Sequence, residues 1–406
     1  MNDLYALNDG FLEGAESDYI VKGGIQHTQV GRFLIPTDLY GNNPEYYHNL
    51  SSCLSECYLI TGCMNECSAG VMRKFIDDNA EGIYQHKCEL LNNPEYYKVG
   101  VDKLEFTIDL NKARCESLSD EIKKHDGVKV NRYRLTVPKA NKLKFLHCIE
   151  ITYKKAKVVF HYLPFGRNKS QKPRFAKISL NFNYRKRKDL VVIMDLIKNH
   201  FGFGYYCALK KAAPTHVELK IDFNSIHPCL LMYRGSSKAQ RHADYQPRDK
   251  FLLESTLIAR SSTKTKKFYF KTSESAIKNS KSMGSLVVAR FEFVIKQHKG
   301  PQGTIFVDDL DSKFFFDNGY GFKMYNPMFL KDPLFSSEEV TRLLNVTVTS
   351  GFHAAYLSSN EDQKKILNRY IIDTSSFMSD VKKRSEKSLK ICKNLLFAKP
   401  KKRILG

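Results

Sequence analysis

The chain has 406 residues, of which 42% are hydrophobic, so it is long enough for two or three domains with a buried core and is not a disordered protein. It carries 65 Lys and Arg against 43 Asp and Glu, a formal net charge of +22. A field of this size favours a polyanionic partner, and nucleic acid is the leading candidate.

The charge is unevenly distributed. Residues 1–100 hold 6 basic and 14 acidic side chains, a net of −8, so residues 101–406 carry +30. This shift predicts a boundary near residue 99, after an acidic, cysteine-containing accessory region at 1–98. The strand and helix patterns described below divide the rest into a domain at 99–300 and a basic, mainly helical region at 301–406. The start "MNDLYALNDG" is polar and acidic, unlike a secretory signal, and the apolar runs are too short to cross a bilayer. We therefore expect a cytoplasmic protein with reduced thiols and no membrane partner.

The acidic region contains two features. Cys53, Cys57, Cys63 and Cys67 form a C-x3-C-x5-C-x3-C pattern. They could bind zinc, with His86 and Cys88 contributing, but buried helix cysteines are the commoner explanation. The hexapeptide "NNPEYY" occurs at 42–47 and 92–97, and its Asn, Pro and Glu are typical of a helix start.

From residue 101 the pattern is rich in β-strands. Alternating apolar residues predict strands at 101–109, 145–153, 157–163, 174–184, 216–225, 266–272 and 287–296. Residues 188–202 have helical periodicity and end at Gly202. The predicted fold class is α+β, with a mostly antiparallel sheet, flanking helices and a helical C-terminal region.

The remaining segments are loops and helices. Residues 234–265 are polar and predict a long loop or flap, and residues 301–335 are also loop-rich. Ser336 and Glu339 fit a capping box at the start of a helical region. The last stretch, 381–406, holds ten basic residues against one acid. It is either a helix along a DNA backbone or a solvated tail.

Three of the predicted strands each have an apolar face and a face of ionisable groups. In "VELKIDF", "KKFYFK" and "ARFEFVIK" the apolar residues occupy alternate positions. If these strands are neighbours, the opposite face gathers Glu218, Asp222, Tyr269, Lys271 and Glu292. Carboxylates there could hold Mg²⁺ or Mn²⁺, and a tyrosine could attack a phosphate. The alternative is an amphipathic sheet with a solvated, salt-bridged outer face.

At these residues the sequence resembles a known family. The ordered motifs are "VDKLEFTI", "LKIDF" with Asp222, the segment Tyr269-x-Lys271-x-x-Glu274, and "RFE" with Arg290 and Glu292. They are similar to those of filamentous-phage replication initiators (gene II proteins) and related rolling-circle plasmid initiators. The resemblance covers residues 99–300. The His-x-His motif of another class of rolling-circle enzymes does not occur in the sequence.

The resemblance implies an enzyme that nicks one strand of a supercoiled circular DNA at its origin. It would stay joined to the 5′ phosphate through tyrosine and leave a 3′-OH that primes synthesis. The implied roles are Tyr269 as nucleophile with Lys271 and Glu274 assisting, Asp222 and Glu292 as ligands of Mg²⁺ or Mn²⁺ with Glu218 as a third, and Arg290 as a phosphate contact or a partner of Glu292. A phage, plasmid or prophage source in a bacterial host is implied, with a host helicase as a further partner.

Two basic loops are candidates for contacting DNA. They contain Arg167, Lys169, Lys172, Arg174, Arg185, Lys186, Arg187 and Lys188. With aromatic neighbours these cations could follow a DNA backbone, although ordinary solvated loops explain them equally well.

Other assignments stay open. Tyr205, Tyr206 and Tyr320 are rival nucleophiles, but none is followed by a lysine at the spacing seen after Tyr269, so loop or core positions suit them better. Two other functions are compatible with the same residues. One is a non-catalytic protein that binds an origin or operator, and the other is a nuclease in which water attacks.

Overall fold

The computed structural model of the protein describes residues 19–22, 25–30, 33–36, 69–136, 145–164, 175–182, 187–224, 226, 228–235, 255–258, 264–270, 287–296, 299–300, 303–317 and 323–400. Its strands are β1 (Tyr19–Lys22), β2 (Ile25–Val30), β3 (Phe33–Pro36), β4 (Tyr97–Ile108), β5 (Val128–Arg134), β6 (Phe145–Tyr153), β7 (Ala156–Pro164), β8 (Ala176–Asn181), β9 (Ala213–Asn224), β10 (Tyr233–Arg234), β11 (Ser255–Ile258), β12 (Lys264–Phe270), β13 (Val287–Ile295), β14 (Lys299–Gly300), β15 (Gly303–Thr304) and β16 (Lys323–Met324).

Its helices are α1 (Ala69–Asp78), α2 (Ala80–Asn92), α3 (Lys112–Lys123), α4 (Arg187–Phe201), α5 (Phe203–Leu209), α6 (Pro228–Leu231), α7 (Ser312–Asp317), α8 (Ser337–Ser350), α9 (Phe352–Ser358), α10 (Glu361–Arg369) and α11 (Ser375–Phe397). A 3₁₀ helix spans Pro327–Lys331. Within the described residues, no helix combines the length and the apolar composition needed to cross a membrane.

Among the described residues, the main sheet has nine strands in the order β11-β12-β13-β9-β4-β8-β7-β6-β5. All neighbouring pairs are antiparallel. With the helices that flank this sheet and follow it, the predicted α+β class is confirmed. Smaller antiparallel groups join β1–β2–β3, β10–β16 and β14–β15.

Alternation along the strands gives the sheet one apolar face. On β9, Leu219, Ile221 and Phe223 are fully buried, and Phe291 and Phe293 continue that face on β13. The α4 helix packs on β6 and β7, and α11 packs on β4. The apolar face is therefore covered by helices, and the opposite face carries the polar residues of the same strands.

The α11 helix settles the form of most of the basic C-terminal stretch. It is helical as far as Phe397, and its spacing of three or four residues buries one side, including Phe377, Val381, Leu389 and Leu396. Most of its lysines lie on the exposed side.

Most predicted strands are found within a few residues of their expected bounds. The strand expected at 145–153 is Phe145–Tyr153, and the one expected at 216–225 is Ala213–Asn224. The predicted helix end at Gly202 is also found. Gly202 has a φ of 57°, a left-handed conformation that glycine adopts without a steric penalty.

Two expectations about local structure were wrong. The second "NNPEYY" does not start a helix, because α2 ends at Asn92 and β4 begins at Tyr97. The side chain of Asn93 accepts a hydrogen bond from the backbone N–H of Glu95 at 3.0 Å, and this local turn replaces the helical start. The segment 234–265, expected to be a loop, contains β11. The first hexapeptide copy lies outside the described residues.

The division into three regions stays a prediction. Most buried apolar residues of the described chain form one large cluster that reaches from Phe75 on α1 to Leu396 on α11. A small second cluster contains Leu135 and Cys148. The sheet and the C-terminal helices therefore share a core.

Candidate functional site

The polar face of the sheet centres on β9 and β13. These strands are neighbours, with Arg290 opposite Asp222 and Glu292 opposite Lys220. All four side chains are at most 5% exposed, so their charges must be satisfied by one another or by a ligand. The strand order thus places the carboxylates of Glu218, Asp222 and Glu292 on one face.

A β-bulge in β4 adds a third carboxylate. The pairing of β4 with β9 shifts between Val101 and Lys103, and Asp102 lies at this irregularity. Carboxylate oxygens of Asp102, Glu218 and Glu292 all lie within 4.8 Å of one another. Three strands therefore each bring one carboxylate to the same small region of the polar face.

The sequence analysis identified Glu218 and Glu292 but missed Asp102. A signal for it exists in the apolar pattern of β4. Val99 and Val101 are buried at odd positions, whereas Leu104 and Phe106 are buried at even positions. Such a change of parity within one strand requires an extra residue, which is what a bulge supplies.

Asp222 makes a different contact from the one predicted. Both its oxygens accept from Arg290, with Nη2 to Oδ2 at 2.7 Å and Nε to Oδ1 as the second bond. The Nη1 atom of the same guanidinium lies 3.4 Å from Asp102 and 3.6 Å from Glu292. Asp222 thus orients the arginine beside the carboxylate group, and its assignment as a metal ligand stays a prediction.

Two lysines neutralise part of this charge. Lys220 Nζ lies 2.7 Å from Asp102 Oδ1 and 3.7 Å from Asp222 Oδ2. Lys267 Nζ lies 3.1 Å from Glu292 Oε2 and 3.6 Å from Glu218 Oε1, so it bridges two of the three converging carboxylates. Although burial lowers the pKa of Lys267, the charges of Glu292 and Glu218 outweigh it and raise the pKa above its usual range.

Glu218 is held ionised. Its Oε1 accepts a hydrogen bond from His216 Nε2 at 2.7 Å. Burial raises the pKa of the Glu218 carboxyl, but the bond from His216 and the charges of Lys267 and Lys103 more than compensate, and the net pKa is lowered. An ionised carboxylate is the form that coordinates a metal.

The group has the chemistry of a site for a hard cation. The carboxylates of Asp102, Glu218, Asp222 and Glu292 face the cations Lys220, Lys267 and Arg290. The converging ligand atoms are oxygens, as Mg²⁺ and Mn²⁺ prefer. Opposite ligands of Mg²⁺ lie about 4.2 Å apart, so oxygens within 4.8 Å of one another need only small movements to share one ion.

The register places Tyr269 next to this group. Across the sheet, Tyr269 pairs with Arg290, Arg290 with Asp222, and Asp222 with Lys98. One row of paired residues therefore joins the predicted nucleophile to the ion pair beside the carboxylates. For Tyr269 only the backbone is described, and Lys271 and Glu274 lie outside the described residues.

Arg290, also predicted as a DNA contact, lies in the group of charges above. Of the cations in the two basic loops, Arg187 and Lys188 are described. Both are exposed in the first turn of α4. Arg187 also lines a cavity of about 450 Å³ between α4, β4 and α11, together with Arg384 and Lys387. The other predicted contacts lie outside the described residues: Arg167, Lys169, Lys172, Arg174, Arg185 and Lys186.

The candidate zinc ligands and rival nucleophiles also lie partly inside and partly outside the described residues. Cys53, Cys57, Cys63, Cys67 and Tyr320 lie outside the described residues. The α2 helix carries a buried His86 and a half-buried Cys88. Tyr205 is fully buried, and burial raises its pKa, so the structure favours the predicted core role over that of a nucleophile.

Comparison with known proteins gives weak similarity, and only to solved structures. No protein-family model matches the sequence, and neither does any curated protein. Among solved structures, the chain is similar to a rolling-circle replication initiator protein from Geobacillus stearothermophilus, with 11% identity and a TM-score of 0.34 over 71% of this chain and 97% of that one.

Proposed function

We propose that this protein is a rolling-circle replication initiator: a metal-dependent enzyme that nicks and rejoins one strand of DNA at an origin through a covalent 5′-phosphotyrosine. It acts on supercoiled circular DNA and its single strand in the cytoplasm of a bacterial host, where a helicase is a further partner. The observation that carries the proposal is the convergence of Asp102, Glu218 and Glu292 beside the row that contains Tyr269.

These three carboxylates would hold the Mg²⁺ or Mn²⁺ ion. A bound ion of this kind polarises the scissile phosphate. Arg290, fixed by Asp222, presents a guanidinium at the same point, and a fixed guanidinium stabilises charge on phosphate oxygens. Asp222 therefore acts in this proposal through the arginine that it orients.

Tyr269 is the proposed nucleophile. Its hydroxyl loses a proton, its oxygen bonds to the phosphorus, and the 3′ oxygen leaves and takes up a proton. Glu274 assists the proton transfer, and Lys271 offsets negative charge at the phosphate. The reverse reaction, with a 3′ hydroxyl as attacking group, joins the strand.

The basic loops and the start of α4 are proposed to hold the DNA backbone. Arg187 and Lys188 are exposed at the start of α4 and could contact phosphates. The loop cations Arg167, Lys169, Lys172, Arg174, Arg185 and Lys186 are proposed to do the same. Such contacts position the DNA without reading its sequence.

The test uses supercoiled DNA of the replicon that encodes the protein. The full chain is incubated with this DNA and Mg²⁺ or Mn²⁺, and the products are separated under denaturing conditions. We expect nicked circles and a covalent protein–DNA adduct. Both should be lost in Tyr269→Phe and kept in Tyr133→Phe, which removes the hydroxyl of an exposed tyrosine on the edge strand β5.

A second function is favoured by one observation. The carboxylates already contact Lys220, Lys267 and Arg290, which suits an ion-paired face in a non-catalytic protein that binds an origin or operator. DNA binding without nicking in any divalent metal would establish that function. Nicking without an adduct would instead assign the attack to water and leave Tyr269 a structural residue.

A further inference from the structure

Two hydrogen bonds hold the bulge that carries Asp102. The carbonyl of Asp102 accepts from the backbone N–H of Phe182 at 2.7 Å. One residue earlier in β4, the N–H of Val101 donates to Ser388 Oγ at 2.9 Å. The first bond comes from the end of β8, but the second comes from α11, 287 residues further along the chain.

Among the described strands, none pairs with Val101 on the β8 side of β4. The pairing of β8 with β4 runs from Ile108 to Lys103, where Asn181 ends β8. The Val101 N–H lies beyond that end, in a partly buried position. An N–H there without an acceptor would destabilise the fold, so the Ser388 hydroxyl supplies what a strand carbonyl would otherwise provide.

The helix that carries Ser388 is fixed against the same strand. Tyr97, at the start of β4, donates its hydroxyl to Asp380 of α11 at 2.7 Å. The rings of Tyr97 and Phe377 pack edge to face with centroids 4.8 Å apart. Ser388 lies one residue before the buried Leu389. The hydroxyl is therefore held at a set place relative to β4.

We propose that Ser388 is a positioning residue that fixes the β4 bulge and so directs the Asp102 carboxylate toward Glu218 and Glu292. The hydrogen bond runs from the helix-covered face of the sheet to the backbone of the strand whose opposite face carries the carboxylates. The inference rests on the proposed function in one respect, which is the expected effect of Ser388 on metal binding. Residues that orient metal ligands typically change metal affinity by about 10–100-fold when they are removed.

The test compares three variants of the full chain. Ser388→Ala removes the hydroxyl, Ser388→Thr keeps one, and Ser385→Ala is the matched control. Ser385 lies one turn earlier on α11, is fully buried, and donates within its own helix, to the carbonyl of Val381 at 2.7 Å. The readouts are the Mn²⁺ dissociation constant and the hydrogen exchange of the peptide that contains Val101.

In Ser388→Ala we expect exchange in this peptide to accelerate and Mn²⁺ affinity to fall by about tenfold, with Ser388→Thr close to the parent. Ser385→Ala should change neither quantity. Exchange unchanged in Ser388→Ala, or a loss of affinity equal to that of Ser385→Ala, would overturn the inference. A parent protein that binds no Mn²⁺ would instead contradict the proposed function, and exchange alone would then decide the role of Ser388.

Discussion

Lys267 has a role that the sequence pattern did not reveal. Its ammonium bridges Glu218 and Glu292, so it competes with any cation for the same oxygens. Replacing Lys267 with Met should raise Mn²⁺ affinity by about tenfold, because the electrostatic competitor is gone. The same change should lower the melting temperature without metal, since two buried carboxylates lose their partner, and Mn²⁺ should restore it. Calorimetric titration and thermal melting with and without Mn²⁺ measure both effects.

Lys177→Met is the matched control for this prediction. Lys177 also neutralises a mostly buried carboxylate on the same face of the sheet, with Nζ 2.5 Å from Glu105 Oε2. Glu105 is outside the converging group. Lys177→Met should therefore destabilise the protein without changing Mn²⁺ affinity. A Lys267→Met variant with the parent affinity would show that the lysine and the metal do not share a site.

His161 should make stability depend on pH. It is 8% exposed on β7, and burial, helped by the charge of Lys177, lowers its pKa to about 4. The unfolded chain takes up this proton near pH 6.5, whereas the folded chain resists it until about pH 4. Stability should therefore be full above pH 6.5 and fall as the pH decreases, by about 2 kcal/mol at pH 5.

Urea unfolding at several pH values between 5 and 7 measures this slope. His161→Gln should flatten it, because glutamine takes up no proton in either state. The exposed His125, which follows α3, provides the control, and His125→Gln should keep the slope of the parent. A parent protein of equal stability at pH 5 and pH 7 would show that His161 is not buried in its neutral form.

At the scale of residues, the alternation of the strands was enough to place Glu218 and Glu292 on one face. It could not show the pairing of Asp222 with Arg290, because contacts between side chains depend on which strands are neighbours. Asp102 was missed because strict alternation was assumed through a bulge. Its ion-pair partner Lys220, and Ser388, which bonds to the neighbouring Val101, come from distant parts of the chain.

At the scale of elements, local signals predicted the start of α8. Ser336 Oγ accepts from the backbone N–H of Glu339, and Glu339 Oε2 accepts from that of Ser336, as the capping-box pattern predicted. Ser336→Ala should lower the free energy of unfolding by about 1 kcal/mol, because one N–H at the helix start loses its acceptor. Urea denaturation measures the free energy of unfolding of the variant and the parent. Ser337→Ala, which leaves the capping box intact, should have a smaller effect.

Elements with a clear apolar face were predictable, and those without one were not. The strand β5 was missed because it lies at the sheet edge and most of its residues are exposed, so it lacks an alternating apolar pattern. The turn after α2 was mistaken for a helix start, since Asn-Pro-Glu suits both structures. Local sequence signals, Gly202 and the Ser336–Glu339 capping box, determine where α4 ends and where α8 begins. The bulge in β4 depends instead on contacts from two other elements.

At the scale of the whole molecule, charge and core divide the chain differently. The charge changes sign near residue 100, whereas the described apolar core continues from α1 to α11. Composition could not show this, because charge lies mainly on the surface and the core joins residues far apart in sequence. The basic helix α11 thus belongs structurally to the sheet that carries the carboxylates.

The exposed side of α11 is expected to contribute to the binding of DNA. Lys383, Lys387 and Lys390 form a stripe along that side. The nearby acid, Glu386, accepts from the backbone N–H of Ser312 at 2.7 Å and is turned toward α7. Replacing the three lysines with Gln should reduce the slope of log affinity against log salt by about 0.9 for each phosphate that the protein no longer neutralises, hence by roughly 2–3.

Fluorescence anisotropy with non-specific duplex DNA between 50 and 200 mM salt measures this slope. If the parent protein neutralises about six phosphates, its affinity should fall on the order of 10³-fold over this range. The control variant replaces Lys112, Lys123 and Lys124 of α3 and its end with Gln, which removes the same net charge where acids lie nearby. Equal salt slopes in the two variants would show that the outer face of α11 contacts solvent and not DNA. A smaller slope in the α11 variant alone would place that helix along the DNA backbone, on the side of the sheet opposite the carboxylates.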